Sequence, residues 1–220
     1  PKAVVPVPKV DPSMIPTTDR DLGGERKRAE GIQKKAAMKR LRSDPFINKL
    51  IQIESSGRAN AIGYKMHRDS RSGKFVHDTV TVTDQWGRKV NRKIPVSYGL
   101  MQITIPTAKA SKLPAAQKAF KGKSDKVIRR ILLEDQELNV RIGKEFADKI
   151  RGQLKANKYI KHFKKQEIDI LVGAAYNWKG EGFNKLINEA QPENLDQVLA
   201  RVKFPAETRR QIKELRKAFK

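Results

Sequence analysis

From Ile170 to Tyr176 the chain runs through seven apolar residues without a break, although 33% of its 220 residues are charged. A surface helix keeps a polar stripe, so a helix that is apolar all round has to be wrapped by other elements. Crossing a bilayer takes about 20 such residues, so the run is too short for a transmembrane segment and none is expected. The stretch Glu167 to Trp178 is therefore predicted to be the central helix of a packed domain.

The segments around it carry helical signals of their own. Asp44 before Pro45 combines an N-cap with proline at the first helical position. Phe46, Ile47, Leu50, Ile51 and Glu54 follow at helical spacing until Gly57 supplies a stop. Short helices are predicted from Ile105 and from Ser124. A longer one runs from about Asp135 to Ala156, with Leu138, Ile142, Phe146 and Ile150 on one face. Two more lie near 194–202 and 205–219. Between residues 64 and 97 the period changes to two: Val80, Val82 and Val90 around a Trp86-Gly87 turn read as a β-hairpin or small meander. The fold class is α+β, mainly α, with one small antiparallel β insertion.

The first 24 residues hold five of the eleven prolines and end in Gly23-Gly24. Proline fixes φ and removes a donor, so this arm is expected to be extended. Residues 25–42 read as a basic helix with a thin stripe of Ile32, Ala36 and Leu41. The expected division is a Pro-rich arm and basic helix over 1–43, then a main domain over 44–220. The opening PKAVVPVPKV has no continuous apolar stretch of leader length, so no secretory address is expected.

The chain has no cysteine, which excludes disulfide scaffolds, thiol catalysis and thiolate metal sites. Its three histidines, His67, His77 and His162, are scattered, which argues against a histidine zinc site. No metal or organic cofactor is expected.

Four segments stand out, in a fixed order: Ile53-Glu54-Ser55-Ser56-Gly57, then Ser97-Tyr98-Gly99-Leu100-Met101-Gln102-Ile103-Thr104 leading into Pro106-Thr107-Ala108, then Leu138-Asn139-Val140-Arg141-Ile142-Gly143, then Ala174-Ala175-Tyr176-Asn177-Trp178. Together they resemble the catalytic domain of the soluble lytic transglycosylases and goose-type lysozymes, over about residues 44–215. The resemblance implies a lysozyme-like domain that cleaves the MurNAc–GlcNAc β-1,4 bond of bacterial peptidoglycan, with Glu54 as general acid/base. It further implies that the Tyr176 hydroxyl bonds and orients that glutamate. Pro205-Ala206-Glu207-Thr208-Arg209 is similar to a late family segment whose glutamate lines the saccharide groove, although the aromatic that usually follows is Gln211 here. The groove expected from the resemblance is lined by Ser97, Gln102, Tyr176, Asn177 and Glu207.

The same residues make chemical sense taken singly. Glycoside cleavage needs a carboxylic acid still protonated near neutral pH. Glu54 falls in the last turn of an apolar helix, where the dipole's negative end and the apolar neighbours both raise its pKa. Gln102 offers donors and an acceptor for N-acetyl groups and hydroxyls. Gly99 permits close approach of backbone to a sugar or to a helix. Asn177 and Trp178 suit either the groove or a helix cap and core, while Leu138 to Gly143 reads as a packing element.

A second carboxylate separates the two outcomes. An inverting hydrolase needs a base about 6.5–9.5 Å from the acid, to activate water. Thr104 lies two residues after Gln102, and Arg92, Lys93 and Ile94 precede Ser97, so no acid flanks the GLMQ segment. That favours the transglycosylase outcome, in which one glutamate serves first as acid and then as base on the muramyl C6 hydroxyl. The alternative is a hydrolytic muramidase drawing Asp69, Asp78 or Asp84 from the insertion. Trp86 suits either stacking on a sugar or packing in its turn.

Lys and Arg number 48 against 24 Asp and Glu, a net charge of +24. Residues 85–130 hold twelve Lys/Arg against Asp125 alone, and 151–165 hold six with no acid. Such excess concentrates polyanions. It suits an enzyme steered to peptidoglycan and to an anionic cell-envelope or virion surface. No specific nucleic-acid partner is expected, because no recognition motif accompanies the charge. A basic, leaderless, proline-armed chain resembles a bacteriophage lysin, such as those of enveloped double-stranded RNA phages. That implies a monomer carried on a virion or delivered to the periplasm. The competing classes are a non-catalytic murein-binding protein and a basic nucleic-acid-binding structural protein.

Overall fold

Asp44 starts the first core helix as its sequence predicts. Its carboxylate accepts from the amides of Phe46 at 2.9 Å and Ile47 at 3.4 Å, which satisfies donors that the first turn would otherwise leave open. The computed structural model describes residues 19–69, 75–83, 86–178 and 182–219. The chain divides into two units, one up to Ala37 and one from Met38 onward.

In the first unit the described part is most of helix α1, Asp19–Arg42. The helix begins earlier than the expected residue 25 and runs through Gly23-Gly24, which the sequence had suggested as the end of an extended arm. The proline-rich residues 1–18 lie outside the described residues.

The second unit is mainly α. Its helices are α2 (Pro45–Ser55), α3 (Ile105–Ala110), α4 (Pro114–Phe120), α5 (Asp125–Glu134), α6 (Gln136–Ala156), α7 (Lys165–Asn177), α8 (Phe183–Ala190), α9 (Leu195–Arg201) and α10 (Ala206–Ala218). Helix α7 is central: every residue from Ile168 to Ala175 is buried. It packs against α6 and α10. Gly173 lets α10 close in, because a Cβ there would lie 2.3 Å from Leu215 Cδ1. The buried Asp169 on this helix accepts from Arg151 Nε of α6 at 2.9 Å, and the same guanidinium lies 4.8 Å from the ring of Phe46 on α2. One paired charge thus ties three helices together without leaving a buried carboxylate unmet.

The β insertion is more elaborate than the expected hairpin or meander. Its strands are β1 (Ile62–Tyr64), β2 (Met66–Arg68), β3 (Phe75–His77), β4 (Thr79–Thr83), β5 (Lys89–Lys93) and β6 (Pro95–Tyr98). They pair as three two-stranded antiparallel ribbons, β1 with β6, β2 with β3 and β4 with β5. The ribbons meet where Lys65 N donates to Ile94 O, Ile94 N to Asp78 O and Asp78 N to Lys65 O, at 2.8, 3.0 and 2.9 Å. The Lys65 ammonium sits 2.8 Å from the Asp78 carboxylate at this junction.

Helices α4 and α8 were not anticipated. Both are short, and α8 directly follows the glycine-rich stretch around Gly180 and Gly182, where periodicity gives little signal. No helix among the described residues is long and apolar enough to cross a membrane.

Candidate active site

Glu54 is the penultimate residue of α2, and Ser56 and Gly57 end that helix in left-handed conformations, φ 54° and 76°. Ending the helix there leaves Glu54 half-buried, with its Oε1 wholly buried and without a hydrogen-bond partner. Burial raises its pKa from 4.5 to about 7, the negative charge of Glu207 adds to the rise, and a hydrogen bond from the Asn177 side chain opposes it. The direction is the one the sequence predicts. The second contributor is a neighbouring carboxylate on α10, 153 positions away in sequence (207 − 54).

Asn177 closes α7 and is exposed, and its side-chain amide is the hydrogen-bond partner of Glu54. Its Oδ1 accepts from the hydroxyl of the fully buried Thr208 at 3.5 Å, a long hydrogen bond that leaves the NH₂ group for Glu54. Glu207 lies in the first turn of α10 and is exposed. The result is a carboxyl with a pKa of about 7, neighboured by an exposed amide and an exposed carboxylate. That is a general acid's environment.

The octamer of Ser97 to Thr104 folds as a closed loop. Tyr98 and Ile103 pair through two backbone bonds of 3.0 and 2.9 Å, and residues 99–102 turn between them. Leu100 and Met101 point into the core and are fully buried. The segment from Leu138 to Gly143 grips this loop. Asn139 accepts from Met101 N at 2.8 Å and donates to Tyr98 O and Leu132 O at 2.9 and 3.1 Å. Gly99, at φ 77°, leaves room for that amide, since a Cβ would meet Asn139 Nδ2 at 2.4 Å. Of the two readings of Gly99, close approach to a helix is the one realised. The packing reading of residues 138–143 also holds, and Asn139 is its polar pin.

Ser97 and Gln102 come together, but on each other. Ser97 Oγ donates to Gln102 Oε1 at 2.8 Å, and Gln102 Nε2 donates to Gly99 O at 2.8 Å and Ala61 O at 3.2 Å. Both amide hydrogens expected for a sugar are spent, one closing the loop on Gly99 and one tying it to Ala61 just before β1. Tyr176 departs from what the resemblance implied, because its hydroxyl donates to Met101 O at 2.9 Å rather than to Glu54. It nevertheless adjoins the site, because the Glu54 charge raises its pKa further beyond the effect of burial. The Phe146 ring meets Tyr176 edge-on at 5.3 Å and forms one wall of a concavity of about 440 Å³ between α3 and α6.

Trp178 caps α7 and its ring packs 5.6 Å from Phe204, which favours the cap-and-core reading. The insertion's Asp78 is engaged by Lys65, and Glu207 supplies the neighbouring negative charge that raises Glu54. Asp84 lies outside the described residues. Trp86 sits at the β4–β5 turn, 69% exposed, with the Arg88 guanidinium 4.9 Å from its ring. Thr208 and Phe146 were not read as site residues. A threonine directly after Glu207 was the one available signal for the first. Among the described residues no group of three or more His, Asp or Glu is placed to hold a metal ion. No protein-family model, curated protein or solved structure matches the chain.

Proposed function

We propose that the chain is a lysozyme-like enzyme that cuts the MurNAc–GlcNAc β-1,4 bond of peptidoglycan, with Glu54 as the single proton donor and acceptor. One observation carries the reading: a carboxyl with a buried, unpartnered oxygen and a pKa of about 7, set among exposed polar groups. Glu54 protonates the glycosidic oxygen as the bond to muramyl C1 breaks. As a carboxylate it then takes the proton of the C6 hydroxyl, whose oxygen closes on C1 to give a 1,6-anhydro sugar without consuming water. Asn177 holds the carboxyl in place, and its bond to the charged form aids the second half of the cycle.

A second reading rests on Glu207. This exposed carboxylate acts electrostatically on Glu54, and a base so placed would activate water and give a reducing-end product. Mass spectrometry of fragments released from purified cell walls distinguishes the two: anhydro-muramic ends support the transglycosylase and reducing ends the hydrolase. If Glu54→Gln clears walls as well as the parent, the assignment of Glu54 falls with both.

A further inference from the structure

Ile62 and Tyr64 alternate with Gly63 along β1, and Gly63 packs against the Ser97–Gln102 pair. The two flanking side chains therefore face away from that cluster. There they join Val80 and Val82 of β4, Pro95 of β6 and Leu133 of α5 around a shallow concavity of about 590 Å³. Ile62 and Tyr64 are each 38% exposed and Val80 is 48% exposed. Among the described residues, seven of the eight exposed large apolar side chains fall between Ile62 and Val96. Exposed apolar side chains among the described residues are thus concentrated on the β insertion.

Exposed cations border the same concavity: Arg92, Lys93 and Arg129. The Lys93 ammonium lies 5.7 Å over the Tyr64 ring and the Arg129 guanidinium 5.9 Å over Tyr98. The nearby acids are engaged, Asp78 by Lys65 and Asp125 by Lys109, each at 2.8 Å. The β4–β5 ribbon that supplies Val80 and Arg92 ends in the exposed Trp86. From Trp86 to Ser124 the sequence has nine Lys/Arg and no acid.

We propose that this face of the β insertion docks on an anionic phospholipid bilayer. Charge alone would suit any polyanion, and a nucleic-acid strand would ask for a series of stacking aromatics. Here the floor is largely aliphatic, the rim is cationic, and a tryptophan stands at the ribbon tip. Aliphatic side chains seat in the headgroup boundary, tryptophan is enriched at that depth, and Lys/Arg meet the anionic surface. The inference does not depend on the glycan-cleaving reading.

The test uses the full chain and vesicles of phosphatidylethanolamine mixed with phosphatidylglycerol, against vesicles of phosphatidylcholine alone. Co-sedimentation is expected with the first and not the second. In a Trp178→Phe background, where Trp86 is the one tryptophan left, its emission should shift to the blue on binding. Arg92→Ser with Lys93→Ser should weaken partitioning by about fivefold per charge removed. Val80→Asp, at an exposed position that leaves folding intact by circular dichroism, should abolish the blue shift. No sedimentation with the anionic vesicles at low salt would overturn the proposal. So would binding that Val80→Asp leaves untouched, or retention by a single-stranded oligonucleotide without any lipid binding.

Discussion

The Tyr176 hydroxyl gives its proton to the carbonyl of Met101 at 2.9 Å, across 75 positions of sequence. This bond pins the closed loop of residues 99–102 to the central helix, one residue before Asn177. Phenylalanine at 176 should cost about 1–2 kcal/mol in urea unfolding, since it removes a bond and strands a buried carbonyl. Wall-degrading activity should fall while the basic limb of its pH profile stays near 7. A hydroxyl bonded to the Glu54 carboxylate would favour the charged form, and losing it would push that limb upward. Movement of the limb in Tyr176→Phe would therefore refute the role given to Met101.

Glu207 acts on Glu54 by charge, and its replacement should be legible in pH rather than in stability. Glu207→Gln removes the second-largest cause of the raised Glu54 pKa and leaves burial, the largest, in place. The basic limb should move below 7 while remaining above the ordinary 4.5. Carboxyl titration followed by carbon NMR gives the same quantity without substrate. An unmoved limb would mean that the two carboxylates do not interact.

The helical frame was readable because its signals are local. Asp44-Pro45 sets a start, the apolar run of 170–176 sets the centre, and the face of Leu138, Ile142 and Ile150 is strictly periodic. Glu54, Asn177 and Glu207, which the fold brings close to one another, each stood out in the sequence, but what each side chain does was not readable. Gln102 and Tyr176 carry groups that suit a sugar or a carboxylate equally well. Only the folded distances show that Gln102 is spent on Ala61 and Gly99, and Tyr176 on Met101. The Glu54–Glu207 pairing joins α2 to α10, and no periodicity reports a contact of that span. Asn139 was the missed clue: an amide between Leu138 and Val140 in a buried stripe signals a polar partner inside the core.

Gly99 should be among the least replaceable residues of the loop. At φ 77° an alanine is strained, and its Cβ would lie 2.6 Å from the backbone oxygen of Leu132. Left-handed strain and overpacking together predict a loss of about 2–4 kcal/mol. Asn139→Asp separates the two sides of the pin, because it still accepts from Met101 N but no longer donates to Tyr98 O and Leu132 O. Urea midpoints measure both, and a Gly99→Ala variant as stable as the parent would remove the close-packing account of this loop.

Glu54 should destabilise the fold in its ionised form, which makes its replacement a gain outside catalysis. The carboxyl sits at about 7 in the native state against 4.5 ordinarily, so the folded protein binds this proton more tightly. Between those values the native state holds more protons than the unfolded chain, and stability falls as pH rises. The contribution is fully present below about 4.5, is lost progressively up to about 7 and amounts to about 3 kcal/mol. Glutamine keeps the shape and never ionises. The stability difference between Glu54→Gln and the parent should thus be near zero at low pH and should grow to about 3 kcal/mol above 7. Taking the difference cancels the titration of every other carboxylate, as long as those sites are distant. Glu207 is not distant, so the double variant Glu54→Gln, Glu207→Gln should gain less than the sum of the two single changes. Parallel urea curves across this pH range would show instead that the carboxyl is as well solvated folded as unfolded. The loss of wall cleavage expected in the same variant, about 10²–10⁴-fold for a missing general acid, would then need another cause.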